Sequence, residues 1–258
     1  METKKSKTII LIHGNFVNNE TWKDWKTYLE EKGYNVYTPA NPGHKGKPAD
    51  LRKNPPSTLP RTDFKDVINN ISNLIDSLPE KPLVIGHSMA GMAVLKLTAL
   101  NKVAAAVSID GAPPKNVTPP LSTIKMVWGG FGFFTSKKYY MGTEKWYNKA
   151  FFNTLSRKEQ KKMFEHYAVP ESFKVSRQLV FDKYTKIDFK KPHTPILFIG
   201  GKSDHIFPPK LTKKIARKYK DKNSHVDVKI YHGKSHFICG QTGWEQIADD
   251  IINWYENL

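Results

Sequence analysis

Six short apolar runs recur along this chain, each separated from the next by a longer stretch, and that alternation restricts the fold more than any other feature. The runs are TIILI (8–12), YNVYT (34–38), PLVIG (82–86), VAAAVSI (103–109), TPILFIGG (194–201) and VDVKIY (226–231). TWKDWKTYLEEKG (21–33), DFKDVINNISNLIDSL (63–78), MAVLKLTAL (92–100) and KLTKKIARKY (210–219) lie between them, and WEQIADDIINWYENL (244–258) closes the chain. These longer segments carry helical patterns, so the order is the strand–helix–strand rhythm of a parallel sheet. The rhythm breaks at GAPPKNVTPP (111–120), where prolines allow neither a continuing helix nor a central strand. It resumes at 194. The expected architecture is therefore α/β: a mostly parallel sheet of about six strands flanked by helices, built from 1–111 and 191–258, with 112–190 as an inserted helical cap. A chain of 258 residues has room for one such domain and a substantial core.

The insertion is rich in aromatics, among them Trp128, Phe131, Phe133, Phe134, Tyr139, Tyr140, Trp146, Tyr147, Phe151 and Phe152. Such residues build an insertion's own core, and they also suit the apolar underside of a lid over the sheet's C-terminal edge, where α/β proteins bind ligands. The two roles are compatible. The paired glycines of WGGFGFF make that segment the one best suited to move.

Residues 83–97 read LVIGHSMAGMAVLKL. A serine before a helix is commonly just an N-cap. Here Gly86-His87-Ser88-Met89-Ala90 follows a buried strand and passes directly into a helix, which is the G-x-S-x-G nucleophile elbow with alanine in the last place and Gly91 next. A serine hydroxyl needs a base, and the base needs a partner that fixes its tautomer and stabilises its cation. Asp204, in GGKSDHIFPP after the strand at 194–200, and His236, in YHGKSHFI after the strand at 226–231, stand in the required order. Asp110 at the end of the preceding strand is a rival acid, and His232 and His205 are rival bases. His13, His44 and His87 suit structural hydrogen bonds in loops near the site. The oxyanion needs two backbone N–H groups. Met89 supplies one, and Asn15 in HGNF (13–16) the other, with Phe16 as the alternative if the register differs by one. The histidines are dispersed, no H-E-x-x-H occurs and Cys239 is the only cysteine, so neither a metal site nor a disulfide is expected. The chemistry calls for no cofactor.

With these motifs in family order, the chain resembles the α/β-hydrolase fold superfamily, in its small esterase-like branch. LIHGNF with Trp22 and Trp25 downstream, PANPGHKG, GHSMAG, GGKSDHIFP and GKSHF carry the resemblance. It departs from the pattern at Asn41, where an acid usually precedes Pro-Gly-His, and at Ala90. The resemblance implies a serine hydrolase acting on a small-molecule carboxylic ester or lactone with an apolar portion. It also admits C–C bond hydrolases, acyltransferases, hydroxynitrile-lyase-like enzymes and non-catalytic ligand-binding relatives, because one fold hosts many functions. Gly14 stands where the lyases carry a hydroxyl residue, and Ser88 replaces the aspartate of haloalkane dehalogenases and epoxide hydrolases.

Charge bears on partners. The net charge is +17, yet arginine occurs only at 52, 61, 157, 177 and 217. Arginine makes most bidentate phosphate and base contacts, so the excess reads first as a solvated lysine coat, with an anionic partner as the alternative. No nucleic-acid-binding motif is present, and no run reaches the roughly 18 to 20 apolar residues that span a bilayer. The apolar run after METKKSK is too short for a secretory signal, which leaves a cytoplasmic protein as the expectation.

Overall fold

The structure is a computed structural model that describes residues 5–131 and 138–258, the side chains of 128–131 excepted. In chain order it runs β1 (Thr8–Ile12), α1 (Lys23–Glu31), β2 (Asn35–Tyr37), α2 (Pro48–Lys53), α3 (Phe64–Asp76), β3 (Leu83–His87), α4 (Met89–Ala99) and β4 (Ala105–Ile109). An inserted segment follows, with α5 (Leu121–Phe131), β5 (Tyr139–Tyr140), α6 (Glu144–Ala150), α7 (Arg157–Tyr167), β6 (Glu171–Ser172) and α8 (Phe173–Phe181). The chain then returns through β7 (Ile196–Gly201), α9 (Pro209–Ala216), β8 (Val226–Tyr231) and α10 (Trp244–Glu256).

Six strands form one sheet in the order β2-β1-β3-β4-β7-β8, and every neighbouring pair is parallel. β5 and β6 make a separate antiparallel pair inside the insertion. Successive side chains along a strand point to opposite faces. Ile9, Leu11, Leu83, Ile85, Val107 and Ile199 accordingly pack with Trp25 and Leu29 of α1 and with Ile247 and Ile251 of α10. Ile10, Ile12, Val84, Ala106, Ile196 and Phe198 meet α3, α4 and α9 on the other face, in a core that continues into Tyr147, Phe151 and Phe152 of the insertion. The apolar stripe of α3 is set by its start: Asp63 and Asp66 form a reciprocal capping box.

This topology positions the site. Strand order reverses between β1 and β3, opening a crevice at their C-terminal ends, where open α/β sheets bind ligands. The register pairs Ile12 with Gly86, and His87 with Ile109, so Gly14, Ser88 and Asp110 emerge along one edge. Among the described residues no helix is long and apolar enough to cross a membrane.

Several boundaries differ from the sequence expectation. α4 starts at Met89 rather than 92, because β3 turns into it through a single residue. β4 starts at Ala105 rather than 103, and β2 keeps only three residues. The WGGFGFF segment, expected to move, falls largely outside the described residues, as do the side chains of Trp128, Phe131, Phe133 and Phe134.

Candidate active site

Ser88 is the single residue between β3 and α4, and its backbone has φ 59° and ψ −119°. A non-glycine residue with positive φ is strained and persists only when its surroundings hold it. They do: Ser88 N–H donates to the Ile109 carbonyl at 2.9 Å, and its own carbonyl accepts from Gly91 and Ala112, both at 2.9 Å. The turn is so tight that a Cβ at Gly86 would lie 2.3 Å from the Ala90 carbonyl oxygen. A Cβ at Gly14 would lie 2.7 Å from Ser88 Cβ, so only glycine lets the β1 loop approach the serine.

Ser88 Oγ is 2.9 Å from His236 Nε2, and His236 Nδ1 is 2.8 Å from Asp204 Oδ2. Asp204 Oδ1 accepts from the N–H groups of Ile206 (2.6 Å) and Phe207 (3.0 Å), which fixes the carboxylate. All three side chains are buried. Burial alone would raise the Asp204 carboxyl. The His236 imidazole and the two N–H donors outweigh it and hold the group below the ordinary range.

The other histidines have separate partners. His87 Nε2 donates to the His236 carbonyl at 2.7 Å, and burial together with the nearby His236 lowers its pKa to about 3. His13 accepts from Asn41 N–H at Nε2 (3.0 Å) and faces the Gly14 carbonyl at Nδ1 (2.8 Å). Burial and the adjacent His44 bring it to about 3 as well. His205 and His232 are exposed, and His205 Nδ1 faces the Lys149 carbonyl. Asn41, at the position of the missing acid, holds His13 through its backbone and also donates Nδ2 to the His13 carbonyl at 3.2 Å.

Asp110, the rival acid, lies close by without bonding to the imidazole. Its Oδ1 accepts from Gly201 N–H at 2.8 Å, and burial plus the neighbouring Asp204 carboxylate push it well above the ordinary carboxyl range. His87, Asp110 and His236 each bring one ligand atom within 4.8 Å of the others. Both His236 nitrogens and His87 Nε2 are already occupied by protein partners.

A cavity of about 280 Å³ opens above Ser88. Asn15, Phe16, Ser88 and Met89 line it from the sheet side, with Val127, Trp146, Phe151 and Leu179 from the insertion and Ile206 and Phe207 from the Asp204 loop. Phe151 also sets its ring edge-on to His236, with centroids 4.9 Å apart. The insertion's aromatics thus divide. Tyr147 and Phe152 are fully buried in its core, whereas Trp146 and Phe151 reach the cavity wall.

A family model described as alpha/beta hydrolase family matches residues 9–249. The chain belongs to the alpha/beta hydrolase family. Solved structures with the alpha/beta-hydrolase fold superpose over nearly the whole chain. A monoacylglycerol lipase of Paleococcus ferrophilus is 22% identical with a TM-score of 0.70, covering 96% of this chain and 93% of its own. A mutant of tomato methylketone synthase I gives 16% and 0.71, covering 98% and 100%. A methylesterase from Arabidopsis gives 11% and 0.70, covering 97% and 99%. No curated protein sequence matches the chain. As an alpha/beta hydrolase, it brings together Ser88, His236 and Asp204 in the order expected from the sequence. What the sequence did not single out is Glu171, a buried acid from the insertion, whose Oε2 lies 3.4 Å from Phe16 N–H.

Proposed function

We propose that this protein is a serine hydrolase cleaving a carboxylic ester or lactone with an apolar portion. The observation that carries the reading is the continuous chain Asp204–His236–Ser88, ending on the floor of an apolar cavity. His236 Nε2 takes the Ser88 proton as Oγ adds to the substrate carbonyl, and Asp204 holds Nδ1–H and stabilises the imidazolium. The N–H groups of Asn15 and Met89 receive the oxyanion, each worth on the order of 3 kcal/mol of barrier. The Phe16 N–H is turned to Glu171, which favours Asn15 as the loop donor. His236 then passes its proton to the departing alkoxide, leaving an acyl group on Ser88. Water adds with the same histidine as base, and the acid is released as Oγ regains its proton. Residues 112–190 act as the cap that gives the acyl or alcohol part an apolar seat. This chemistry uses no group beyond the chain's own residues and water.

The test is burst kinetics on p-nitrophenyl esters of increasing chain length, beside Ser88→Ala. Turnover that depends on chain length and disappears in the variant is expected. Turnover that survives in Ser88→Ala would remove the serine from the mechanism.

A further inference from the structure

His13 and Asn18 of the loop that follows β1 are bonded to residues 41–46 and to their own turn, whereas Asn15 and Phe16 between them bond to the inserted segment. Phe16 has φ 67°, a strained value for an aromatic residue. Its carbonyl accepts from Tyr147 Oη–H at 2.6 Å and from Val169 N–H at 3.0 Å. Its N–H faces Glu171 Oε2 at 3.4 Å, and the neighbouring Asn15 Nδ2 donates to Ser176 Oγ at 3.2 Å. Tyr147, Val169, Glu171 and Ser176 all lie between β4 and β7. The stretch carrying Val169 is itself tied down, since Arg52 donates to the carbonyls of Ala168 (2.6 Å) and Glu165 (2.7 Å).

Of the four residues that meet Asn15 and Phe16, namely Tyr147, Val169, Glu171 and Ser176, Glu171 carries the carboxyl group. It is 2% exposed, and a carboxylate so deeply buried needs compensation. Its Oε1 accepts from Ser172 N–H at 2.7 Å, and Oε2 lies 3.2 Å from His44 Nε2. His44 Nδ1 faces the Pro42 carbonyl at 3.2 Å, and a protonated ring would pair with Glu171 through Nε2. Burial disfavours that cation, yet Glu171 and the Pro42 carbonyl raise the His44 pKa above its ordinary value. Glu171 Oε2 thus faces the Asn15–Phe16 peptide as well as His44. Holding that peptide plane limits the rotation of Asn15, and with it the direction of the Asn15 N–H.

We propose that Glu171 is a positioning residue for the oxyanion loop, so that the inserted segment completes the oxyanion hole as well as covering the cavity. The inference rests on the reading of Ser88 as nucleophile and Asn15 as oxyanion donor. It assigns the insertion a part in the chemical step. A seat for apolar substrate would act on binding alone, whereas a group that aims an oxyanion donor acts on the transition state.

The test compares wild type with Glu171→Ala, Glu171→Asp and Glu171→Gln. Turnover is normalised to burst amplitude, which counts competent sites. Two probes separate the roles: an alkyl trifluoromethyl ketone, whose adduct with Ser88 places an oxyanion in the hole, and the matching secondary alcohol, which fills only the cavity. Glu171→Ala should lower kcat by about 30- to 100-fold, below the full loss of one donor, with KM within about threefold. Ketone affinity should fall in step while alcohol affinity holds. Glu171→Asp keeps the charge but withdraws it by one methylene, and should also lower kcat, so the result does not hang on the alanine variant folding. Glu171→Gln still offers an oxygen to Phe16 N–H and should return kcat to within about fivefold of wild type. Unchanged kcat per site in the Ala and Asp variants, or equal losses of ketone and alcohol binding, would overturn the proposal. A wild type that shows no burst and no fluorophosphonate adduct on Ser88 would instead overturn the reading of the nucleophile, and this inference with it.

Discussion

Two buried carboxylate–imidazole pairs, Asp204–His236 and Glu171–His44, reach Ser88 and the Phe16 N–H respectively, and their difference lies in what faces the second ring nitrogen. In the first pair Nε2 of His236 meets a hydroxyl, Ser88 Oγ, at 2.9 Å. In the second, the remaining nitrogen of His44 meets a carbonyl, that of Pro42, at 3.2 Å. A hydroxyl can give up a proton and a carbonyl cannot, so His236 has a proton to take and His44 has only protons to hold. On the proposed mechanism the same two residue types therefore make a base on one side and, on the other, an imidazole whose cation Glu171 and the Pro42 carbonyl favour. The carboxylates differ likewise: Asp204 is tied by two N–H groups of its own loop, whereas Glu171 reaches from the insertion to the β1 loop.

The largest expected effect that would sharpen this comparison is His236→Ala. With no base, kcat on a good ester should fall by about 10⁴ or more, and His44 should not substitute. Next comes Asp204→Asn, which leaves the imidazole in the wrong tautomer and should cost about 10³- to 10⁴-fold in kcat. A comparable loss in Asp110→Asn with little in Asp204→Asn would reassign the acid and break the contrast. His44→Asn removes the imidazole beside Glu171 and should cost about tenfold in kcat, a small loss beside the roughly 10³-fold or more of removing a base. If it matched His236→Ala, the two pairs would not differ as described.

Stability against pH separates His44 by sign from two other buried histidines, His13 and His87. His13 and His87 have folded-state values of about 3, below the ordinary 6.5. Their contribution is complete above pH 6.5 and is lost as pH falls toward 3, at about 1.4 kcal/mol per pH unit for each histidine. His44, raised above 6.5, contributes fully below that value and loses its contribution as pH rises through its folded-state value. Denaturant titrations from pH 8 to 4 should show stability falling on the acid side, and the fall should be steeper in His44→Asn. The smallest effect on activity is expected for Asp110→Asn. The amide keeps an acceptor for Gly201 N–H and removes a buried carboxyl whose raised pKa makes its charge costly at neutral pH, so kcat should stay within about threefold while Tm at pH 7 rises.

The same contrast explains what the sequence disclosed. Ser88, Asp204 and His236 each follow an apolar strand directly, so a sheet places them on one edge and the chemistry of a weak nucleophile calls for them in turn. Six parallel strands were legible for the same reason, because a run such as LVIGH has no other place to be buried. Boundaries were less so: Gly91 lowers helix propensity, yet α4 begins before it because the fully buried Ala90 and Gly91 pack against the sheet. Glu171 was not legible. It stands in AVPESF, where no periodicity marks it, and its partners His44 and Phe16 are remote in sequence and meet it only once the insertion folds back over β1. Spacing alone left Asp110 as a rival acid, and the loop context after β7 favoured Asp204. The folded loop adds what spacing does not show, the contact of Asp204 with His236 Nδ1 and the N–H donors of residues 206 and 207.

The central claim is that His236 activates Ser88, and the most direct measurement is peptide mapping of the intact protein after brief exposure to an alkyl fluorophosphonate. The account predicts one adduct per chain, on Ser88, formed rapidly in wild type and in Asp110→Asn and at least 10³-fold more slowly in His236→Ala. No adduct, an adduct elsewhere, or equal labelling rates with and without His236 would contradict it.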